Sequence, residues 1–202
     1  DTFSDRVVRG SILSSDGEVL AQTNVSEDGT EERSYPYGNT FAHVVGYDTN
    51  GKSGLESEAN FQLLSSHEFF LNQIRNEFMG TKNTGDSVVS TLSADLQTTA
   101  YNSLGDRRGA VVALEPSTGK ILALVSKPDF DPNTISENWD TLVNDETNSS
   151  LLNRATMGQY PPGSTFKVVT ALDYFRTRGS FNGFSFDCQG SITKENHTIQ
   201  CY

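Results

Sequence analysis

Two apolar runs, Gly109-Ala-Val-Val-Ala-Leu-Glu115 and Lys120-Ile-Leu-Ala-Leu-Val-Ser126, stand either side of Pro116-Ser-Thr-Gly119. Proline presets the φ of a turn and glycine supplies its left-handed residue, so this stretch predicts a tight antiparallel hairpin. Strands apolar on both faces predict a hairpin buried in a central sheet packed with helices. A second hairpin is predicted over residues 6–22, where Ser15-Asp16-Gly17 separates two extended runs. Arg6 and Arg9, within it, read as surface charges. Residues 35–55, rich in Tyr, Gly, Asn and Pro, predict loop with short strands.

Helical spacing takes over between Gly54 and Phe78, where Leu55, Ala59, Leu63, Leu64, Phe69, Phe70, Ile74 and Phe78 recur every three to five residues. Val88–Leu92 reads as strand. Ser93 then predicts an N-cap for a helix over Ala94–Leu104, with Leu96, Ala100 and Leu104 on its apolar face and Gly105 as its stop. A further helix is expected somewhere between Trp139 and Met157. After Tyr160-Pro-Pro-Gly163 comes Ser164-Thr-Phe-Lys-Val-Val-Thr-Ala-Leu-Asp-Tyr-Phe175, a helix apolar enough to predict burial. Arg176 and Arg178 complement its dipole, and Gly179 ends it.

The composition excludes several function classes. At 202 residues, 35% of them hydrophobic, with 12 Phe and 7 Tyr, the chain can build a packed core. Its net charge of −11, with no basic run, is the wrong sign for a nucleic-acid partner. No stretch approaches the roughly 18 apolar residues of a membrane span. With neither an initiator Met nor a signal peptide at Asp1, the chain reads as a mature or trimmed product. Cys188 and Cys201 could close a loop in an oxidising compartment or stay as thiols in a reducing one. There is no CxxC pair and no HExxH, so no metal site is expected.

A serine hydroxyl needs a base to take its proton before it can attack a carbonyl, and lysine can be that base. Residues three apart on a helix share a face, so Ser-x-x-Lys brings amine and hydroxyl together. With 23 Ser and 6 Lys in the chain, chance alone predicts about 0.7 such motifs, which makes the bare spacing uninformative. Three occur. Ser117–Lys120 falls in the hairpin turn, and Ser191–Lys194 lies in a polar stretch with no apolar face. Only Ser164–Lys167 opens an apolar helix after a Pro-Pro-Gly break, which predicts a serine at a cleft and a partly desolvated lysine. The plainer alternative is that Ser164 caps a core helix while Lys167 reaches for solvent.

Tyr160-Pro-Pro-Gly-Ser-Thr-Phe-Lys167 resembles the nucleophile motif of the high-molecular-weight penicillin-binding proteins. Arg9-Gly-Ser-Ile-Leu13, Asp16–Ala21, Arg33–Tyr37, Ala42–Tyr47 and Gly54-Leu-Glu56 are similar to the N-terminal module of the class B, transpeptidase-only members. Val89–Gln97, Gly109–Ser126, Asp129–Asn133 and Asn153-Arg-Ala155 follow in the family's order.

The resemblance implies an α+β, non-catalytic module of the pedestal or dimerisation type over residues 1–91. The first part of an α/β, serine β-lactamase-like transpeptidase domain would follow over 92–202. It implies Ser164 as nucleophile and Lys167 as general base in acyl transfer on peptidoglycan stem peptides ending in D-Ala-D-Ala, with β-lactams trapping the same serine. It implies no metal, no organic cofactor, and a place on the outer face of the bacterial cytoplasmic membrane through an N-terminal anchor. The family's later Ser-x-Asn and Lys-Thr-Gly motifs are expected beyond residue 202, so these residues alone are expected to be inactive. A β-lactam sensor, or a scaffold module for wall-synthesis or division proteins, are the competing readings.

Overall fold

The computed structural model describes residues 7–67 and 70–200; Arg6, Glu68, Phe69 and Cys201 lie outside the described residues. Along the chain run β1 (Val7–Val8), β2 (Ile12–Leu13), β3 (Val19–Val25), β4 (Glu31–Ser34), α1 (Ala42–Val45), α2 (Gly54–Glu58), α3 (Asn60–Leu63) and α4 (Phe70–Met79). Next come β5 (Asn83–Thr84), β6 (Val88–Val89), α5 (Ala94–Leu104), β7 (Gly109–Leu114), β8 (Ile121–Lys127) and α6 (Ile135–Val143). The last are α7 (Phe166–Arg178), β9 (Ser191–Lys194) and β10 (His197–Gln200). The mixture is α+β, and it divides into two compact units, Asp1–Gln159 and Tyr160–Tyr202.

In the first unit β2 and β3 form the expected hairpin. Ile12 pairs with Ala21, and Gly17 takes the left-handed conformation (φ +89°) at the turn. The sheet runs β4-β3-β2-β6, with β6 parallel to β2. Its inner face puts Ile12, Leu20 and Ala21 against Tyr35, Phe41, Val45, Ala59, Leu63, Leu92 and Ala94. Burying an aliphatic side chain of this size contributes about 1.5–3 kcal/mol. Ala42, Phe130 and Ile135 form a smaller cluster beside Tyr47, Trp139, Leu142 and Leu151.

Two glycines let backbones cross beside β2. Gly10 donates its N–H to Leu63 O (2.9 Å), and Gly85 donates to Val8 O (2.7 Å). A Cβ on Gly85 would lie 2.0 Å from Leu63 O and 2.9 Å from Gly10 N. Backbone atoms cannot step aside as a flexible side chain can, so Gly85→Ala is expected to cost about 3 kcal/mol or more. A urea titration of the folded protein measures this; a loss below about 1 kcal/mol would mean the crossing is looser than drawn.

Helix α5 forms over the predicted residues, with Ser93 Oγ accepting the Leu96 N–H (3.3 Å) and Gly105 ending it at φ +55°. Its buried face only partly follows the predicted stripe, with Ala100 and Leu104 half-buried. Leu96 is exposed, whereas Gln97 is completely buried. The Gln97 amide donates to Thr40 O and Leu124 O (both 2.8 Å) and accepts from Leu124 N (2.7 Å). A fully satisfied buried amide can stand in for an apolar contact, so the polar residue sits where periodicity expected a hydrophobic one.

Strands β7 and β8 pair antiparallel as predicted, but only β8 is covered on both faces. Residues of β7 alternate half-buried and exposed, whereas Ala123–Ser126 of β8 are buried. Among the described residues β7 pairs with β8 alone, and α5 packs on the hairpin. Strand β8 is therefore covered on both faces, whereas β7 leaves Val112 and Leu114 open. The helix expected between Trp139 and Met157 instead begins at Ile135. A 3-10 turn over Pro132–Thr134 leads into it: Asp131 caps the Asn133 N–H (2.9 Å), and proline opens that turn.

Arg9 is not a surface charge. Its side chain is 8% exposed and donates Nε to Glu56 Oε2 at 2.7 Å, while Arg33 donates Nε to Glu56 Oε1 at 2.8 Å. Glu56 itself is completely buried. Burial, reinforced by the Glu56 and Asp48 charges, holds the neighbouring Tyr35 phenol far above its ordinary pKa.

Candidate active site

Tyr160-Pro-Pro-Gly163 and the helix after it belong to the second unit. Pro162 lies in the helical region (φ −68°, ψ −21°) and Gly163 has φ +53°, a turn the sequence makes with a ring-locked φ followed by a residue free of Cβ. Residues Gly163–Thr165 form a single 3-10 turn that runs straight into α7. Thr165 closes it, donating both its N–H (3.2 Å) and its hydroxyl (2.5 Å) to Pro162 O.

Ser164 sits inside that turn, and Lys167 one turn further along, at the start of α7. Both line one cavity of about 440 Å³. The cap position of α7 falls on Thr165, with no side-chain cap, so Ser164 is not the helix cap of the plainer alternative. The rival motifs lie on no helix. Ser117 lies in the turn between β7 and β8, and Ser191 and Lys194 lie on β9, where residues three apart face opposite sides.

Burial of α7 is a correction. Residues 161–173 are exposed, Lys167 among them, and α7 has no buried residue. An apolar helix is buried only where something covers it. Within this unit its neighbours are Phe181 and Phe184, gathered on Tyr174 at ring distances of 5.8 and 5.2 Å, and Tyr174 alone becomes half-buried. At its far end α7 stops as predicted: Gly179 is left-handed (φ +75°), its N–H reaches Phe175 O (2.7 Å), and Arg176 and Arg178 occupy the last turn.

The residues completing the cavity were not legible as site residues. They are Phe186, Cys188, Ser191, Ile192, Ile199 and Gln200, most of them carried by the β9–β10 hairpin. Their signal was present: a β-branched pair, Ile192-Thr193 and Thr198-Ile199, stands on either side of Glu195-Asn196, which turn with φ +50° and +65°. That is the two-residue, left-handed turn of a hairpin. Among the described residues no group of three His, Cys, Asp or Glu side chains gathers as a metal site.

The family model of the penicillin-binding protein transpeptidase domain matches residues 109–202, and that of the penicillin-binding protein A dimerisation domain matches residues 9–88. The chain belongs to the penicillin-binding proteins. It is 41% identical to the peptidoglycan D,D-transpeptidase PbpA of Mycolicibacterium smegmatis, over 80% of this chain and 36% of that protein. The M. tuberculosis penicillin-binding protein A, solved as an imipenem acyl-enzyme complex, superposes with a TM-score of 0.80 at 30% identity. The match covers 98% of this chain and 49% of that one. The D,D-transpeptidase domain of a peptidoglycan glycosyltransferase from Eggerthella lenta gives 0.78 at 33% identity, over 96% of this chain and 43% of that one. The chain thus spans about a third of the first curated relative's length. Its fold is that of the front part of a penicillin-binding protein.

Proposed function

We propose that the protein is a serine-type peptidoglycan D,D-transpeptidase of class B, acylated by stem peptides and by β-lactams at Ser164. One observation carries the reading: Ser164 and Lys167 line the same opening at the start of α7. The relatives support it, being named D,D-transpeptidases or solved as β-lactam acyl-enzymes.

Lys167 takes the Ser164 proton as Oγ attacks the carbonyl carbon between the two terminal D-alanines. The C–N bond breaks, the last D-alanine leaves carrying that proton on its amine, and the ester on Ser164 remains. An amine from a neighbouring strand then attacks the ester, returning the hydroxyl to Ser164 and closing the cross-link. The Ser164 backbone N–H is one donor for the oxyanion, near the positive end of α7. Residues 1–91 are a non-catalytic module. The dimerisation-domain match over 9–88 favours a role in holding a second chain or other wall-synthesis or division proteins. The work is extracytoplasmic, on the outer face of the cytoplasmic membrane, with an N-terminal anchor holding the protein there.

The test is peptide mapping after exposure of the full-length protein to benzylpenicillin. The expected adduct adds the whole penicillin mass to the peptide holding Ser164. An adduct on another residue, or none, would overturn the reading. Residues 1–202 alone span 36% of the relative's length and are expected to show no adduct under the same conditions.

A further inference from the structure

The β9–β10 hairpin carries two different faces. Ile192 and Ile199 are direct cross-strand partners, so their side chains project on the same side. The next pair, Thr193 and Thr198, projects on the other, with the two hydroxyls 2.9 Å apart. Ile192 and Ile199 line the cavity that holds Ser164 and Lys167, with Ser191 and Gln200 at the hairpin's end beside them. Thr193 and Thr198 do not, and Phe186 joins the isoleucines there. All three apolar side chains are open, at 48, 71 and 61% exposure for Ile192, Ile199 and Phe186. Exposed apolar groups gathered around a nucleophile are the usual lining of a ligand site.

We propose that Ile192, Ile199 and Phe186 form a specificity wall of the active site. It would take the apolar part of the acyl group carried on Ser164, and would favour acyl donors with an uncharged, hydrophobic side chain over those with a carboxylate there. The occupant follows from continuity: whatever is esterified to Ser164 shares the opening with this wall. The proposal rests on Ser164 being the acylated residue. The wall residues touch the ligand and no reacting atom, so they alter choice rather than chemistry. The isoleucine pair itself offers no donor, so a carboxylate seated against it loses water there without gaining a partner from the wall. Ser191 and Gln200 stand at the hairpin's end of the same cavity.

The experiment compares two probes that share one β-lactam nucleus, benzylpenicillin and a carboxypenicillin bearing a charged side chain. Second-order acylation rates are measured on the full-length protein, with the adduct mapped in each case. Ile192→Gln with Ile199→Gln is expected to lower the benzylpenicillin to carboxypenicillin rate ratio about tenfold, the range a lost apolar contact spans. Ile199→Lys should lower the ratio further by favouring the carboxypenicillin, and keeps the test alive should the double variant fail to fold. Thr193→Val with Thr198→Val, on the opposite face, should leave the ratio as it was. An unchanged ratio in the isoleucine variants, or equal losses with both probes, would overturn the wall while the adduct stays on Ser164. An adduct elsewhere would instead remove the reading of Ser164 and the wall with it.

Discussion

Ser164→Ala is expected to leave no covalent adduct after any exposure to a β-lactam, because the ester has no oxygen to form on. Ser117→Ala, at the head of another Ser-x-x-Lys motif, should acylate normally. Lys167→Met keeps the hydroxyl and removes the base beside it, and should slow acylation by about a hundred- to ten-thousandfold. The three variants are told apart by rate as well as by end point, since the lysine variant should still reach full labelling given time. Full labelling of Ser164→Ala at the normal rate would place the nucleophile elsewhere. The same speed in Lys167→Met would leave the serine without its proposed base.

The second large effect is on stability. Glu56 is fully buried between two arginines whose side chains are 8 and 6% exposed. Arg9 also donates to Glu56 O (2.6 Å) and Asn60 Oδ1 (2.7 Å), and Arg33 to Gly10 O (2.7 Å) and Thr23 Oγ1 (3.0 Å). Those bonds hold the guanidinium groups in place even when the carboxylate is gone. Glu56→Ala would leave two buried cations facing each other with no anion, a change that costs about 3–5 kcal/mol. The expected readout is a fall in thermal midpoint on the order of 10 °C. A fall of less than about 2 °C, equivalent to under 1 kcal/mol, would mean that the arginines swing out to water and that the ionic cluster is dispensable. The charge pattern also predicts that Arg9→Met alone is milder, because Glu56 keeps Arg33.

What could be read in advance follows a physical divide. Local rules placed α5 to the residue and the turns of both predicted hairpins, because a serine cap, a terminating glycine and a Pro/Gly turn act within a few positions of themselves. Ser164 and Lys167 could be paired in advance for the same reason, being one turn apart, and they line one cavity. The cavity lining at 186–200 was overlooked because its β-branched runs are two residues long and its apolar positions are few. Residues 9, 33 and 56 carry no spacing that joins them, and no periodicity says that a glutamine at 97 will be buried. Such long-range polar matches depend on the assembled backbone. Burial was overestimated for α7 and β7, since an apolar pattern states what a surface requires and not what lies against it.

Leu92 and Ala94 share a core with Ile12, Leu20 and Leu63, and Gln97 ties α5 to both Thr40 and Leu124. Family resemblance changes between residues 88 and 109, but the packing does not break there; the first compact unit runs to Gln159. A protein engineer wanting the front portion by itself would do well to stop after Gln159. A cut in the nineties would strip away the helix and strands that seal its interior and invite precipitation.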